Sequence, residues 1–253
     1  MQFLAGTSGY SYTSWRGSFY AEDTRPEDML SAYALELPTV EINNTFYRMP
    51  RTSVLETWKA SVPNDFRFVI KASRRITHQA RLAGVEQAVD YLTRGVSVLE
   101  DNLGAVLFQL PPNLRKDGER LRQFLAYWPA EIPAAMEFRN PSWLDDETLD
   151  LLREHNVALC VSDDGKLRLP DVLDTTDWLY LRLRRPEYSA RDLADWLKQA
   201  RATQAERAFV FFKHEEDAAG PQMAQRFLKL ARRPSPKRAP RIQRRRSSTK
   251  STG

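Results

Sequence analysis

Residues 39–50, TVEINNTFYRMP, carry the pattern that decides the fold of this chain. Apolar Val40 and Ile42 alternate with polar residues, which predicts a short strand with one apolar face. A loop of polar and aromatic residues follows directly. The carboxylate of Glu41 lies inside the predicted strand, where burial is costly unless the group is paired or used chemically. The stretch therefore predicts a strand that ends at the edge of a binding cleft.

The same pattern, an apolar run that ends in polar residues, recurs along the chain. Segments with helical spacing of apolar residues separate most of these runs, most clearly at residues 84–102. Alternating strands and helices predict parallel βαβ units. Eight such units favour a TIM-type (β/α)8 barrel over an open doubly wound sheet. The predicted strands are residues 2–5, 39–43, 66–71, 105–110, 134–138, 157–161, 178–183 and 208–212.

The connection between the sixth and seventh predicted strands is the exception. Residues 166–177 are short of apolar residues at helical spacing. We therefore expect one helix of the barrel's outer ring to be irregular or missing there.

Positive charge is concentrated at the C-terminal end of the chain. Nine of its 38 Lys and Arg residues lie in residues 232–253, which contain no Asp or Glu, whereas all 33 acidic residues precede them. Residues 1–231, the predicted barrel domain, thus carry a net charge of −4. The remainder is rich in Pro, Ser and Arg with one large apolar residue, Ile242, and is predicted to be a disordered basic tail. Two interpretations of the tail stay open: a solvated extension, or a segment that binds nucleic acid or another polyanion.

Composition narrows the class of protein. The single cysteine, Cys160, excludes an intramolecular disulfide and a cysteine-cluster metal site, and its apolar surroundings predict a buried, inert thiol. The chain has no apolar run of membrane-spanning length and no basic segment followed by an apolar one at its start. We expect a cytoplasmic protein with no membrane partner, and its oligomeric state stays open.

Motifs for cofactors and for common nucleophiles are missing from the sequence. It contains no GxGxxG, no GxxxxGK[ST] and no GxSxG, and its only histidines are His78, His155 and His214. These absences weigh against dinucleotide, P-loop and multinuclear zinc chemistry. No cofactor is therefore expected, although a single Mg²⁺ held by carboxylates stays open.

The candidate site follows from the predicted fold, because TIM barrels carry their active sites at the carboxyl ends of the strands. Strand alternation is expected to place Glu41, Lys71, Gln109, Glu137, Arg139 and Arg182 in the upper layer of the barrel interior. We expect Glu41, Glu137 and Lys71 to be catalytic, with one glutamate as a general base whose pKa burial raises. The expected substrate-binding residues are Ser8, Tyr10, Trp15, Asn43, Tyr47, His78, Gln109, Arg139, Trp143, Asp163 and Arg182.

Aromatic residues near the same strand ends sharpen this hypothesis. Trp15, Tyr47 and Trp143 are expected on the rim of the cavity, where aromatic faces and arginine side chains suit a sugar, a nucleobase or a phosphorylated molecule. Two alternatives stay open. The charged residues could neutralise one another in an ionic layer of the core, and an individual aromatic residue is more often part of a core than of a site.

Five segments of the chain resemble the domain of unknown function 72 family, also called YecE-like. They occur in the family's order and are GTSGYSYTSWRGSFY (6–20), TVEINNTFYRMP (39–50), KASRRITH (71–78), QLPP (109–112) and EFRNPSW (137–143). The resemblance implies a TIM barrel from Gly6 to about Leu230 but no particular reaction. It also matches Glu41, Asn43, Lys71, His78, Glu137, Arg139 and Arg182 to the family's pattern.

The chain departs from that pattern at three strand ends. Asn140 replaces a histidine that often follows the fifth strand, and Arg184–Arg185 replaces a His-Gly pair after the seventh. Lys213, His214 and Glu215 replace an Asn-Asn-Asp sequence after the eighth. These replacements imply a site that is more cationic than is usual for the family.

Two functions remain in competition at this point. The favoured one is an enzyme that acts on an anionic, sugar- or phosphate-bearing small molecule, with Lys71, Arg139 and Arg182 holding the anion. The alternative is a barrel protein that binds nucleic acid without catalysis, assisted by its basic tail.

Overall fold

Eight parallel strands close into a barrel in chain order, so that β1 pairs with both β2 and β8. This arrangement is seen in a computed structural model that describes residues 1–164, 174–213 and 218–232. The predicted TIM-type (β/α)8 fold is thereby confirmed. The strands are β1 (Gln2–Ser8), β2 (Thr39–Ile42), β3 (Arg67–Lys71), β4 (Leu103–Gln109), β5 (Ala134–Glu137), β6 (Ala158–Asp163), β7 (Trp178–Leu183) and β8 (Arg207–Phe212).

A helix follows each strand except β6 in the described part of the chain. Several begin at a side-chain cap that the sequence predicts, such as Ser189 and Asp192, which form a reciprocal capping box. Asp117 caps another helix by accepting a hydrogen bond from the Arg120 amide at 3.0 Å. The helices are α1 (Met29–Glu36), α2 (Thr52–Ala60), α3 (Glu86–Val96), α4 (Gly118–Tyr127), α5 (Asp146–Glu154), α6 (Ala190–Arg201) and α7 (Ala219–Ala231).

The apolar core has two layers because both faces of every strand are covered. The outer layer, between strands and helices, includes Val40, Phe108 and Phe227. The inner layer fills the lower barrel with side chains from alternate strand positions, among them Val69 and Phe209. Because the lower barrel is filled, open space for a ligand is left to the carboxyl ends of the strands.

Element boundaries differ from the predictions where polar residues extend a strand. β1 continues past the predicted end at residue 5 because Thr7 bonds to the Tyr33 hydroxyl and Ser8 to Glu41. β6 similarly continues to Asp163. The long helix predicted at 84–102 is instead α3 followed by the 3-10 helix Ser97–Asn102, in which Glu100 has a φ of 46°. A left-handed residue cannot continue an α-helix.

Three predictions fall on residues outside the described ranges. Most of the connection expected to be irregular lies in residues 165–173, and the expected tail begins at Arg232, the last described residue. His214 and Glu215 also lie outside. Within the described ranges, no helix has both the length and the apolar character needed to cross a membrane.

Candidate functional site

The inner faces of five strands deliver charged and amide side chains to one place at the carboxyl end of the barrel. In β3, β4, β5 and β7 the residue two positions earlier on the same face belongs to the inner core, as Leu107 does before Gln109. The polar layer therefore lies directly above the apolar filling. We call this layer the charged cluster; it consists of Glu41, Lys71, Gln109, Glu137, Arg139, Arg182 and Arg184.

Arg182 is the centre of the charged cluster. Its Nη2 donates to Glu41 Oε1 at 2.8 Å, and its Nη1 donates to Glu137 Oε2 at 2.5 Å. The three residues are only 0–2% exposed. A buried charge is tolerated when it is paired and hydrogen-bonded, and this guanidinium satisfies both carboxylates at once.

Glu41 is held by neutral donors as well. Ser8 Oγ donates to its Oε1 at 2.8 Å, Asn43 Nδ2 to the same atom at 3.0 Å, and the Tyr180 hydroxyl to its Oε2 at 2.7 Å. Both carboxylate oxygens are therefore occupied. Glu41 is therefore an anion that is held in place by Ser8 of β1, by Asn43 directly after β2 and by Tyr180 and Arg182 of β7.

Glu137 connects Arg182 to the more open side of the cluster. Gln109 Nε2 donates to its Oε2 at 2.7 Å and Arg139 Nε to its Oε1 at 3.0 Å. Arg184 Nη1 lies 3.9 Å from the same Oε1. The side chains of Arg139 and Arg184 are 29% and 17% exposed, so they reach solvent while Glu137 does not.

Lys71 completes the chain of contacts. Its Nζ donates to Gln109 Oε1 at 2.9 Å and lies 4.2 Å from the centroid of the Phe46 ring. The His78 ring also contacts the Phe46 ring, in an edge-on arrangement with the two centroids 4.9 Å apart. Lys71 and His78 thus share one aromatic support at the mouth.

The electrostatics keep both glutamates ionised. Burial by itself raises the pKa of Glu137, but Arg182 and Arg139 outweigh it and lower the pKa to about 2. Burial likewise acts to raise the pKa of Glu41, and Arg182 and Tyr180 bring it below its ordinary value. The same two carboxylates outweigh burial in the other direction at Arg182 and raise its pKa well above the usual range.

The pKa values of Lys71 and His78 are lowered mainly by burial, and the positive charges around them add to this effect. Burial, and then the charge of Arg182, lowers the pKa of Lys71 to about 8. Burial, and then Lys71 and Arg139, lowers the pKa of His78. Near neutral pH, His78 is therefore a neutral imidazole, and Lys71 is the group of the cluster whose protonation changes closest to neutrality.

Charge counting gives the cluster an excess of positive charge. It contains four cations, at Lys71, Arg139, Arg182 and Arg184, and two carboxylates, at Glu41 and Glu137. The net charge is therefore +2, and it lies toward the solvent because Arg182 is enclosed between both carboxylates. This arrangement attracts an anion to the mouth.

The structure brings most of the sequence-predicted site residues together. Hydrogen bonds connect Ser8, Glu41, Asn43, Lys71, Gln109, Glu137, Arg139 and Arg182. His78 and Tyr47 join through the Phe46 ring, which Tyr47 meets at 5.1 Å between centroids.

Two of the three aromatic residues expected on the rim are instead part of the core. Trp15 and Trp143 are each 1% exposed. Trp15 packs among Tyr12, Phe19 and Tyr20, and Trp143 stacks on Phe138 with centroids 4.9 Å apart. The expectation of rim positions for these tryptophans was wrong, because loops folded back over the outer layer bury them.

Tyr10 and Asp163 also lie apart from the charged cluster's contacts. Tyr10 packs on Tyr33 at 6.2 Å between centroids, and burial raises its pKa to about 12. Asp163 accepts hydrogen bonds from Arg185 Nε at 2.9 Å and the Tyr188 hydroxyl at 3.0 Å. In β6, Ala158 and Cys160 face the barrel interior, so the alternation of the strand places Asp163 on the outer face.

One member of the site was missed from the sequence. The sequence pattern predicts Tyr180 only as part of a strand, yet its hydroxyl donates to Glu41 Oε2. Its position two residues before Arg182 in the run WLYLRL is the signal that places both on one face. Among the described residues, no group of three or more His, Cys, Asp or Glu side chains is arranged to hold a metal ion.

Comparison with known proteins identifies the family. The sequence model described as "Protein of unknown function DUF72" matches residues 4–246, and the chain therefore belongs to this family. The UPF0759 protein YunF of Bacillus subtilis is 27% identical over 203 residues, which cover 74% of this chain and 71% of YunF. The UPF0759 protein YecE of Escherichia coli K12 is 32% identical over 127 residues, covering 48% of this chain and 46% of YecE.

Solved structures agree with this assignment. A DUF72 family protein from Thermotoga maritima superposes with a TM-score of 0.78 at 26% identity, covering 91% of this chain and 99% of the other. One from Enterococcus faecalis gives 0.76 at 19% identity, with coverages of 93% and 97%. These relatives share the fold, and function has to be argued from the site.

Proposed function

We propose that this member of the DUF72 family is an enzyme that acts on an anionic, sugar- or phosphate-bearing small molecule at the carboxyl ends of the barrel strands. The observation that carries the proposal is the excess of cations on the solvent side of the charged cluster. Arg139, Arg184 and Lys71 face the mouth, whereas both carboxylates are already engaged by Arg182.

The two outer arginines are assigned to the anion. Arg139 uses its Nε on Glu137 Oε1, which fixes the guanidinium and leaves its terminal nitrogens for a ligand. Arg184 approaches the same carboxylate oxygen at 3.9 Å, beyond hydrogen-bonding distance. A phosphate or carboxylate between them would gain charge-assisted hydrogen bonds in a partly desolvated site.

Lys71 is assigned to proton transfer. A general acid or base works best when its pKa lies near the working pH, and the pKa of Lys71 is about 8. Gln109 and the Phe46 ring hold its Nζ in place. A pKa of about 2 makes Glu137 a weak base, so the general-base role expected for it from the sequence is replaced here by a positioning role.

The glutamates then serve to hold Arg182 and, through it, the geometry of the cluster. Such a rigid ionic layer costs no rearrangement when substrate charge changes during a reaction. The two interpretations that the sequence left open, an ionic core layer and a catalytic site, are thus combined. Glu41, Arg182 and Glu137 form the ionic layer, and Lys71, Arg139 and Arg184 act on the ligand.

A ligand screen followed by matched variants tests the proposal. Sugar phosphates and sugar acids are first screened for stabilisation of the full chain against heat. For each ligand found, Arg184→Met is expected to weaken binding about tenfold or more, since hydrogen bonds to charged groups contribute about 1.5–3 kcal/mol. Lys71→Met is expected to retain binding and lose turnover.

Arg191→Met and Lys198→Met are the controls, because both residues are exposed on α6. Binding that Arg184→Met and Arg139→Met leave unchanged would contradict the assignment of the anion site. A ligand that binds with dependence on both arginines but is never converted would contradict the enzyme.

A further inference from the structure

A second concave surface lies beside the mouth and is not part of the charged cluster. This groove, of about 520 Å³, runs between the segment that follows β2 and the first half of α3. Its lining includes Tyr47, Arg48, Ser73, Arg75, Gln87 and Tyr91, and no acidic side chain. We call it the Tyr47–Tyr91 groove.

The two tyrosines present aromatic surface to solvent. Tyr47 is 70% exposed and Tyr91 59%, although most aromatic side chains of this chain are buried. Tyr91 packs on no other aromatic ring among the described residues, and the Tyr47 ring is approached by Phe46 edge-on and by the Arg74 guanidinium at 5.7 Å. Exposed aromatic rings at the wall of a groove are suited to stacking on a planar ligand group.

The charge of the groove is positive and uncompensated. Arg48 and Arg75 are exposed, and neither forms an ion pair within the described residues. Arg74, above the Tyr47 ring, is likewise without an ion pair there. The barrel domain as a whole carries a net charge of −4, so this positive surface is a local feature. Arginines without acidic partners favour a phosphate.

We propose that the Tyr47–Tyr91 groove binds a nucleotide unit, with a tyrosine stacked on the base and Arg48 and Arg75 on the phosphate. Ser73 and Gln87 add neutral hydrogen-bonding groups to the lining of the groove. The shared chemistry, a base joined to a phosphate, occurs in a free nucleotide and in a single-stranded nucleic acid. The proposal goes beyond the proposed function, because none of its residues belongs to the charged cluster.

The groove and the charged cluster nevertheless adjoin. Phe46 lies between them: one neighbour of its ring is Tyr47, and another is Lys71 Nζ at 4.2 Å. Thr45, which lines the groove, donates to the Lys71 carbonyl at 2.7 Å. A ligand in the groove would therefore extend toward the mouth of the barrel.

Binding to the full chain tests the proposal without any need for turnover. The probes are AMP, measured by calorimetry, and a fluorescein-labelled ten-nucleotide oligothymidine, measured by fluorescence polarisation at fixed salt. Tyr47→Leu and Tyr91→Leu remove one ring each, and at least one of them is expected to weaken binding about 5- to 150-fold. The double variant Arg48→Gln/Arg75→Gln is expected to lower the slope of log K against log salt for the oligonucleotide by about 1.4.

Leu35→Ala is the control for loss of an exposed apolar side chain, since Leu35 is 82% exposed in α1 and lies outside the groove. The basic tail is the same in every variant, so a difference in affinity between variants arises from the groove. If AMP and the oligonucleotide bind with similar affinity, the groove is assigned to free nucleotides. If the oligonucleotide binds far more tightly and its affinity depends on the tyrosines in the same way, the groove is assigned to single strands. Ribose 5-phosphate binding as well as AMP, or affinities unchanged in both tyrosine variants, would overturn the proposal.

Discussion

Replacing Arg182 by methionine is expected to destabilise the fold through charge alone. Arg182 is 2% exposed and donates to Glu41 and Glu137, which are themselves buried. Methionine fills much of the same volume but leaves two carboxylates buried without their shared cation. Removing one partner of a buried ion pair costs about 3–5 kcal/mol, a large share of the roughly 5–15 kcal/mol that stabilises a typical domain.

The pH dependence separates this electrostatic loss from a packing defect. In the wild type, the pKa of Glu137 is about 2 in the folded chain, against an ordinary value of about 4.3, which corresponds to roughly 3 kcal/mol of stability. Because the folded pKa is the lower one, this contribution is present above pH 4.3 and is lost as the pH falls toward 2. In Arg182→Met, burial acts on both carboxylates without Arg182 to oppose it, so that they take up protons more readily on folding.

The difference in stability should therefore be largest near neutral pH and should narrow on acidification. Urea unfolding at pH 7.5 and pH 5 measures it, with Arg191→Met, an exposed arginine on α6, as the control expected to stay within about 0.5 kcal/mol. If Arg182→Met does not fold, the triple variant Arg182→Met/Glu41→Gln/Glu137→Gln should restore folding, because the two fully buried carboxylates are gone and the cations that remain reach solvent. A loss of the same size at both pH values, or no recovery in the triple variant, would refute the electrostatic argument.

Three further predictions follow from the site and the core. Lys71 should react with acetic anhydride in the folded protein with a half-maximal rate near pH 8, because burial and Arg182 lower its pKa to about 8. In the denatured chain the midpoint of the same reaction should lie at about pH 10.4, and mass spectrometry of the labelled peptide measures both midpoints. Trp143→Ala should cost about 3–5 kcal/mol in urea unfolding because the indole is buried against Phe138, while Tyr47→Ala should stay within about 0.5 kcal/mol; equal losses would contradict the placement of these rings. Deleting residues 232–253 should remove most of any sequence-independent affinity for nucleic acid and flatten its salt dependence, since the barrel domain carries a net charge of −4. The weaker binding that remains should be that of the Tyr47–Tyr91 groove, and binding of the truncated chain at full strength would contradict the assignment to the tail.

The fold was accessible from the sequence because strand alternation and helix periodicity are local signals. The run WLYLRL gives β7 with its bounds, and Ser189 with Asp192 gives the start of α6. The convergence of polar residues also followed from local patterns, once the barrel topology placed the carboxyl ends of all strands at one end. Ser8, Glu41, Gln109 and Glu137 could thus be assigned to one site without any contact being known.

The prediction that Trp15 and Trp143 lie on the rim of the cavity was wrong for a reason that local sequence patterns do not contain. Trp143 lies in a short loop after β5, a position that faces either the mouth or the outer layer depending on how the loop folds. In the structure its Nε1 donates to the Leu114 carbonyl at 2.9 Å, which satisfies the only polar atom of the indole. Burial then brings the full apolar benefit at no hydrogen-bonding cost. That acceptor lies 29 residues away in sequence, so the sequence alone gave no reason to prefer the core.

The ionisation state of the glutamates could not be predicted from the sequence for a related reason. This state decides which residue can act in acid–base catalysis. Burial alone would raise the pKa of Glu41 and make it a plausible base, and burial was all that its strand position indicated. The opposing contribution comes from Arg182, which is 141 residues away, and from Tyr180 beside it on the same strand face. Once those partners hold both carboxylates as anions, the surplus positive charge falls on the side chains nearer the solvent. Burial, and then the charge of the same Arg182, lowers the pKa of Lys71 to about 8. The arginine that keeps the glutamates out of acid–base catalysis therefore helps to fit the lysine for it.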